Sequence, residues 1–310
     1  MAERTARWLI AALLLAVPFL LPLILPQHQA LFWTANVFGR AIVYGIIALS
    51  LSFLATYGGF ISLAQMMVAG TAGYAVAILV DGAVPTIVGG LPYAAAVPLG
   101  LAASTLMGLL VGAIAVRTRD IYLLMITLAL AMGVFRFVET NIAWFNGYEG
   151  IRNVVGPQLF GYDFRNAYVF YYVALAVAAL LYAGVLYIVR TPFGLVLQGI
   201  RDNARRVAAL GYSVALHRIL AFGVAGFIAG AGGVLATIYN IGISPGSIGL
   251  GATVNILIMS VIGGLGHPVG AFIGSFIFVA FDTFAANIYD RDRFNTLIGL
   301  VFLAIVLVSP

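Results

Sequence analysis

What most constrains this chain is a succession of long, nearly uncharged apolar runs joined by short polar connections. They fall at about 8–26, 37–56, 60–80, 91–116, 121–140, 167–189, 217–239, 251–264, 268–288 and 294–309. Most are close to the roughly 20 residues that a helix needs to cross the hydrocarbon layer. Backbone in lipid must satisfy its own hydrogen bonds, which restricts runs of this kind to helices or closed barrels, and their length selects helices. The expected fold is an all-α polytopic membrane protein of about ten transmembrane helices, forming one transmembrane domain over residues 1–310. Apolar residues make up 63% of the chain and charged ones 8%, which excludes an ordinary soluble domain. The first run, Trp8 to Leu25, follows Arg4 and Arg7 and leads into PQHQALFW with no small-x-small cleavage site, so it reads as a retained helix.

The basic residues set an orientation. Every one is an arginine, and they alternate in density from one side of the expected bundle to the other. With the N-terminus inside, the inner side collects Arg4, Arg7, Arg117, Arg119, Arg190, Arg201, Arg205, Arg206 and Arg218 against Glu3, Asp120 and Asp202. The other side mixes Arg40, Arg152, Arg165, Arg291 and Arg293 with Asp81, Glu149, Asp163, Asp290 and Asp292. The positive-inside rule then places both termini in the cytoplasm. Because the arginines are dispersed between apolar runs, the pI near 9.6 does not indicate nucleic-acid binding.

The longest polar interruption runs from Arg190 to Phe222. Thr191 is placed to cap a helix and Pro192 to open it, since the first turn does not need proline's missing N–H. Phe193, Val196, Leu197, Ile200, Ala204, Val207 and Ala208 recur at helical spacing, with Gln198, Arg201, Asp202 and Arg205 on the opposite face. Asp202 or Asn203 suits a second cap, and Gly211 suits the residue just past a helix end. The segment reads as one or two short helices outside the bilayer, or as a loop held at the headgroups by its arginines. On the outer side, the loop 141–166 and the shorter Asn240–Gly251 stretch carry glycine and proline that forbid a continuing helix.

Glycines four apart (Gly108 and Gly112, Gly226 and Gly230, Gly266 and Gly270, Gly270 and Gly274) predict close helix–helix contacts. Tyr57-Gly58-Gly59 and Ile262-Gly263-Gly264 interrupt apolar segments in the two halves, the pattern of an internal repeat, which here would be inverted. Within the spans the polar residues are few. Ser62, Gln65, Thr127 and Asn255 are the candidates for lining a pathway. Arg136 and Glu139 are spaced to pair on one helix, and Asp282 is the most isolated carboxylate, near an outer end.

Several chemistries lack their residues. No lysine follows any glycine-rich turn, so there is no nucleotide-binding P-loop. There is no cysteine, and His28, His217 and His267 are dispersed without carboxylates at ligand spacing, so no metal site is expected. The one Gly-x-Ser-x-Gly, Gly242 to Gly246, comes with no second group placed to act as its base, which leaves a serine nucleophile without support.

Four stretches resemble the permease family of branched-chain amino acid ABC importers, in particular its LivM-type subunits. Tyr44 to Tyr74 looks like the family's second and third helices, including Ser62-Leu63. Arg117 to Ala131 is similar to its Arg-x-x-Gly-x-Tyr-x-x-x-x-Thr-Leu segment, with Asp120 where glycine is usual. Phe193, Gly194, Ile200 to Asn203 and Leu210-Gly211 match its Phe-Gly…Ala-Ile-Arg-Asp-Asn…Leu-Gly signature, and Ser244 to Gly274 matches its Ser-Pro…Gly-Gly-x-Gly block. The chain departs from the pattern at Ala204, where glutamate is common, and at Phe60 and Gln65, where the family's Gln and His stand.

The resemblance implies a permease subunit with no catalytic residues, forming half of a translocation pathway in a bacterial inner membrane. It implies a homologous second permease, two cytoplasmic ATPase subunits that hold the ATP and Mg²⁺, and a periplasmic or extracellular solute-binding protein. No cofactor is expected on this chain. Segment 190–216 becomes the coupling segment, with Arg201, Asp202, Asn203, Arg205, Arg206, Ala208, Leu210 and Gly211 at the ATPase. Its ridge of Val196, Ile200, Val207 and Leu210 would enter an ATPase groove. The solute is a branched-chain amino acid, urea, an amide or an aromatic acid. The rival class is a secondary transporter or channel without an ATPase, for which a proton-coupled carrier would need carboxylates at mid-membrane depth, where only Glu139 and Asp282 come near.

Overall fold

A computed structural model describes residues 32–81, 90–118, 120–154, 156–159, 162–164 and 166–288. The expected spans at 8–26 and 294–309, both termini, Arg119 and Arg165 lie outside the described residues. Helix α1 (Trp33–Gly58) is the hub of the bundle. From Ala41 to Phe53 every residue but Tyr44 is buried, so this helix has no lipid-facing stripe and must sit inside protein. Its two ends, Trp33–Gly39 and Leu54–Gly58, are wound as π-helix. Gly59 then takes a left-handed conformation (φ 72°), and the chain runs without helix to α2 (Gln65–Asp81). The span expected at 60–80 therefore begins only at Gln65, because the left-handed glycine ends α1 and five residues cross into the next helix as non-helical chain.

Helix α3 (Tyr93–Ala115) packs along α8 (Val214–Tyr239), and α8 also contacts α1 and α2. Glycine makes this seam: a Cβ on Gly108 would meet the Phe222 carbonyl at 2.5 Å, and one on Gly226 would meet the Ser104 carbonyl at 2.7 Å. The expected small-residue contacts at Gly108, Gly112, Gly226 and Gly230 are thus present, as are those of Gly270 and Gly274 with the backbone of Met259 and Gly263, whereas Gly266 faces open space. Helices α4 (Asp120–Thr140) and α6 (Ala167–Arg190) are peripheral: 22% of the apolar window of each is buried, against 83% for α1, and the rest is available to lipid.

The loop after α4 is ordered by short elements. Asn141 caps α5 (Ile142–Phe145), a 3₁₀ turn follows at Gly147–Glu149, and β1 (Ile151–Arg152) comes next. Strands β2 (Gln158–Leu159) and β3 (Tyr162–Asp163) form a small hairpin. β1 pairs antiparallel with β4 (Gly242–Ile243), which follows α8, so the two loops expected on one side are stitched to each other. The chain continues through a 3₁₀ turn (Pro245–Ile248) into α9 (Leu250–Ile262) and α10 (Val269–Ile288). The span expected at 251–264 is a 13-residue helix, shorter than a membrane crossing. Asp282, expected to stand alone, is bound to Arg40 of α1 at 2.6 Å; helix packing brings the partner from 242 positions away in sequence, where spacing gives no signal.

Candidate functional site

At one end of the bundle lies α7 (Pro192–Ala209), held against the other helices by its apolar face. The Thr191 hydroxyl accepts from the Gly194 N–H and Pro192 occupies the first turn. Gly194 is buried where a side chain would strike the Val189 backbone, so the chain folds back tightly beneath α6. Gln198 secures the fold by donating to the carbonyls of Val189 (3.2 Å) and Gly194 (3.1 Å). At Asn203 the backbone leaves the helix (φ −160°, ψ 97°) and the side-chain oxygen accepts from the Arg206 N–H at 3.1 Å. The segment is therefore two short helices, the second with its own cap. Gly211 (φ 90°) turns the chain, and Ser213 caps α8. Phe193 stacks on His217 of α8, closing the corner.

The two faces of α7 differ sharply. Leu197, Ile200 and Val207 are buried within the chain. The ridge expected to enter a partner groove is thus split: Ile200 and Val207 serve this bundle, while Leu210 is 76% exposed. Beside Leu210 the exposed surface carries Arg205, Arg206, Ala208, Gly211 and Tyr212, with Asp202 one turn away. Arg201 has an internal role. Its guanidinium donates to the Thr56 carbonyl at 2.6 Å and pairs with Asp202 at 3.1 Å, and its aliphatic stem lies against Gly59.

Above α7 the bundle is closed. Phe60 stacks on Phe222 and the Arg218 guanidinium lies over the Phe60 ring. Ser50 of α1 donates to the Gln65 side-chain oxygen (2.9 Å), and the Leu63 N–H donates to Thr127 (3.1 Å). Three of the four expected pathway residues, Ser62, Gln65 and Thr127, are gathered here and are fully or almost fully buried. They sit at the non-helical crossing between α1 and α2. Asn255 is elsewhere, exposed on α9.

The opposite end is open. A cavity of about 940 Å³ descends between α1, α2, α4 and α8. Its deep wall is apolar or small, with Ile47, Met66, Ala69, Gly70 and Gly233. Its mouth carries Glu139, Glu149, Arg152, Asn153, Asn240 and Ser247. Glu149 pairs with Arg152 at 3.0 Å, and Glu139 pairs with Arg136 at 2.6 Å as its spacing predicts. Sequence reasoning missed this cavity because its wall is built from residues that individually resemble packing glycine and core. Its one sequence trace is the density of small residues in α2 and α8: Gly233 meets the Ala69 backbone and Gly73 meets Thr237, which keeps α2 and α8 close. Among the described residues no group of three or more metal-ligating side chains occurs.

A family profile described as the permease component of the branched-chain amino acid transport system matches residues 33–308. The chain is also similar to a probable branched-chain amino acid transport permease protein LivM of Methanocaldococcus jannaschii, with 27% identity over 189 residues, 58% of this chain and 54% of the relative. A second relative is the autoinducer 2 import system permease protein LsrC of Klebsiella pneumoniae, 28% identical over 219 residues, 68% of this chain and 60% of the relative. The chain thus spans between 54% and 60% of the length of these curated relatives. No solved structure matches it. With the profile spanning all but the first 32 and last two residues, the chain is a multi-pass membrane protein belonging to the permease-component family of the branched-chain amino acid transport system.

Proposed function

We propose that this chain is one permease of an ABC importer in a bacterial inner membrane, with both termini cytoplasmic, working beside a homologous second permease. One of two ATPase subunits docks at α7, and a solute-binding protein delivers at the cavity end. The observation that carries the reading is the two-faced α7. One face is sealed into the bundle, while Arg205, Arg206, Ala208, Leu210 and Tyr212 are presented outward with no apolar cover. An exposed leucine and tyrosine flanked by arginines suit an interface with an apolar centre and an acidic rim. The inner-side arginine excess supports placing this face in the cytoplasm.

The solute class favoured is a branched-chain amino acid. The apolar deep wall of the cavity and its mouth of opposed charges suit a small zwitterion with an aliphatic side chain. The exposed Asn255 on α9, on a face that also shows Leu250 and Val254, supports a route continuing along the boundary with the second permease, since a polar side chain facing lipid is costly. A proton-coupled carrier is less well supported, because Glu139 and Asp282 are each held in an ion pair. The test is to purify the chain with its partners, reconstitute it in vesicles and measure ATP hydrolysis with and without loaded binding protein. Stimulated hydrolysis with solute uptake is expected. Uptake that proceeds without any co-purified ATPase contradicts the reading.

A further inference from the structure

We propose that Arg201 is a positioning residue that transmits movement of α7 to the closed end of the bundle, and is not itself a contact to the ATPase. The inference rests on the reading that α7 docks an ATPase, and it concerns what happens next inside this chain. Three observations converge on it. First, although partly exposed, the guanidinium is committed within this chain: one nitrogen reaches the Thr56 carbonyl at 2.6 Å, and others reach the exposed carboxylate of the neighbouring Asp202 at 3.1 Å. Second, the Arg201 stem lies against Gly59, at a position where a Cβ would collide with it, so the left-handed glycine admits the side chain. Third, Thr56 is itself a junction. Its hydroxyl donates to the Leu265 carbonyl, in the turn between α9 and α10.

These contacts join the two interrupted segments through one residue. Thr56 lies in the π-helical last turn of α1, directly before the non-helical crossing to α2. Wide π turns are local departures from the regular ladder and recur at functional positions. A shift of α7 therefore pulls on the Thr56 carbonyl and moves the end of α1 together with the α9–α10 turn. Ile47, higher in α1, and Met66, in α2 just beyond the crossing, form part of the deep wall of the cavity. Arg201 thus connects the docking face to the cavity wall by a continuous set of contacts, with α1 as the shaft.

The experiment uses the reconstituted full complex and reads two quantities, the amount of ATPase that co-purifies and the solute moved per ATP hydrolysed. Arg201→Gln should retain its ATPases while solute moved per ATP falls about ten-fold, the size expected for losing a hydrogen bond from a charged donor. Arg201→Lys, which keeps a charged donor for the Thr56 carbonyl where glutamine offers only a shorter neutral one, should recover part of that loss. Thr56→Val leaves the carbonyl in place and removes the bond to Leu265, so it should lower the ratio in the same direction by a smaller factor. Loss of the ATPases from Arg201→Gln, with a wild-type ratio in the complexes that remain, would make Arg201 a docking contact and overturn the proposal while leaving the importer reading intact. Wild-type ratios in both Arg201→Gln and Thr56→Val would overturn it equally. If the unaltered chain brings down no ATPase, the importer reading itself falls, and this inference with it.

Discussion

The two ends of the bundle are built from the same kind of part and finished in opposite ways. Each carries an interruption followed by a short helix: Gly59 to Ala64 before α2, and the stretch from Ile241 to Gly249 before α9. They lie at opposite ends because α1 and α8 run antiparallel, with the Tyr239 hydroxyl at the end of α8 bonded to Ala35 at the start of α1. At the α7 end the interruption is filled. Phe60 stacks on Phe222, the hydroxyls of Thr127 and Ser62 accept from the non-helical backbone, and Ser50 of α1 donates to the Gln65 amide. At the other end the interruption borders a 940 Å³ cavity and is held by a two-residue strand pairing. Non-helical backbone within a membrane protein needs either protein or water for its polar groups, and this chain uses one solution at each end. The bundle is thus sealed beside the exposed face of α7 and open opposite it.

That contrast predicts unequal sensitivity to substitution. The larger effect belongs to the sealed end. Thr127→Val is nearly isosteric but removes the acceptor of the Leu63 N–H, and a stranded donor there should cost about 1–3 kcal/mol. Thermal unfolding of the purified protein in detergent should shift to lower temperature, and an unchanged midpoint would mean that the crossing segment is not held as described.

The smaller effect belongs to the open end. Glu149 and Arg152 form an exposed pair, so replacing both by Gln should change stability by less than about 1 kcal/mol. The same double substitution should weaken the salt dependence of association with a solute-binding protein, because rim charges act on encounter more than on final affinity. A large loss of stability with unaltered salt dependence would reverse the assignment of the two ends.

Local features were legible in the sequence. Thr191, Asn203 and Gly211 announce a capped, broken and turned segment because each acts on backbone within a few residues of itself. The apolar runs announced the helices for the same reason. What could not be read depends on which face of a helix meets another helix. Ile200 and Val207 share an apolar period with Leu210, and period alone cannot tell an own-bundle face from a partner face. Arg201 read as one more member of an arginine cluster until the Thr56 carbonyl, 145 positions away, supplied its partner. Ser62, Gln65 and Thr127 stand out in sequence as unusual polar groups, but only the fold shows that they meet at the non-helical crossing.

The central claim is that the docking face and the open cavity lie on opposite sides of the membrane, and thiol labelling tests it most directly. The chain has no cysteine of its own, so single replacements report cleanly. With a membrane-impermeant reagent, Leu210→Cys should react only from the cytoplasmic side and be protected when the ATPases are bound, whereas Ser247→Cys, at the cavity, should react only from outside. Labelling of both positions from the same side, or labelling of Leu210→Cys that the ATPases leave unchanged, would contradict the account.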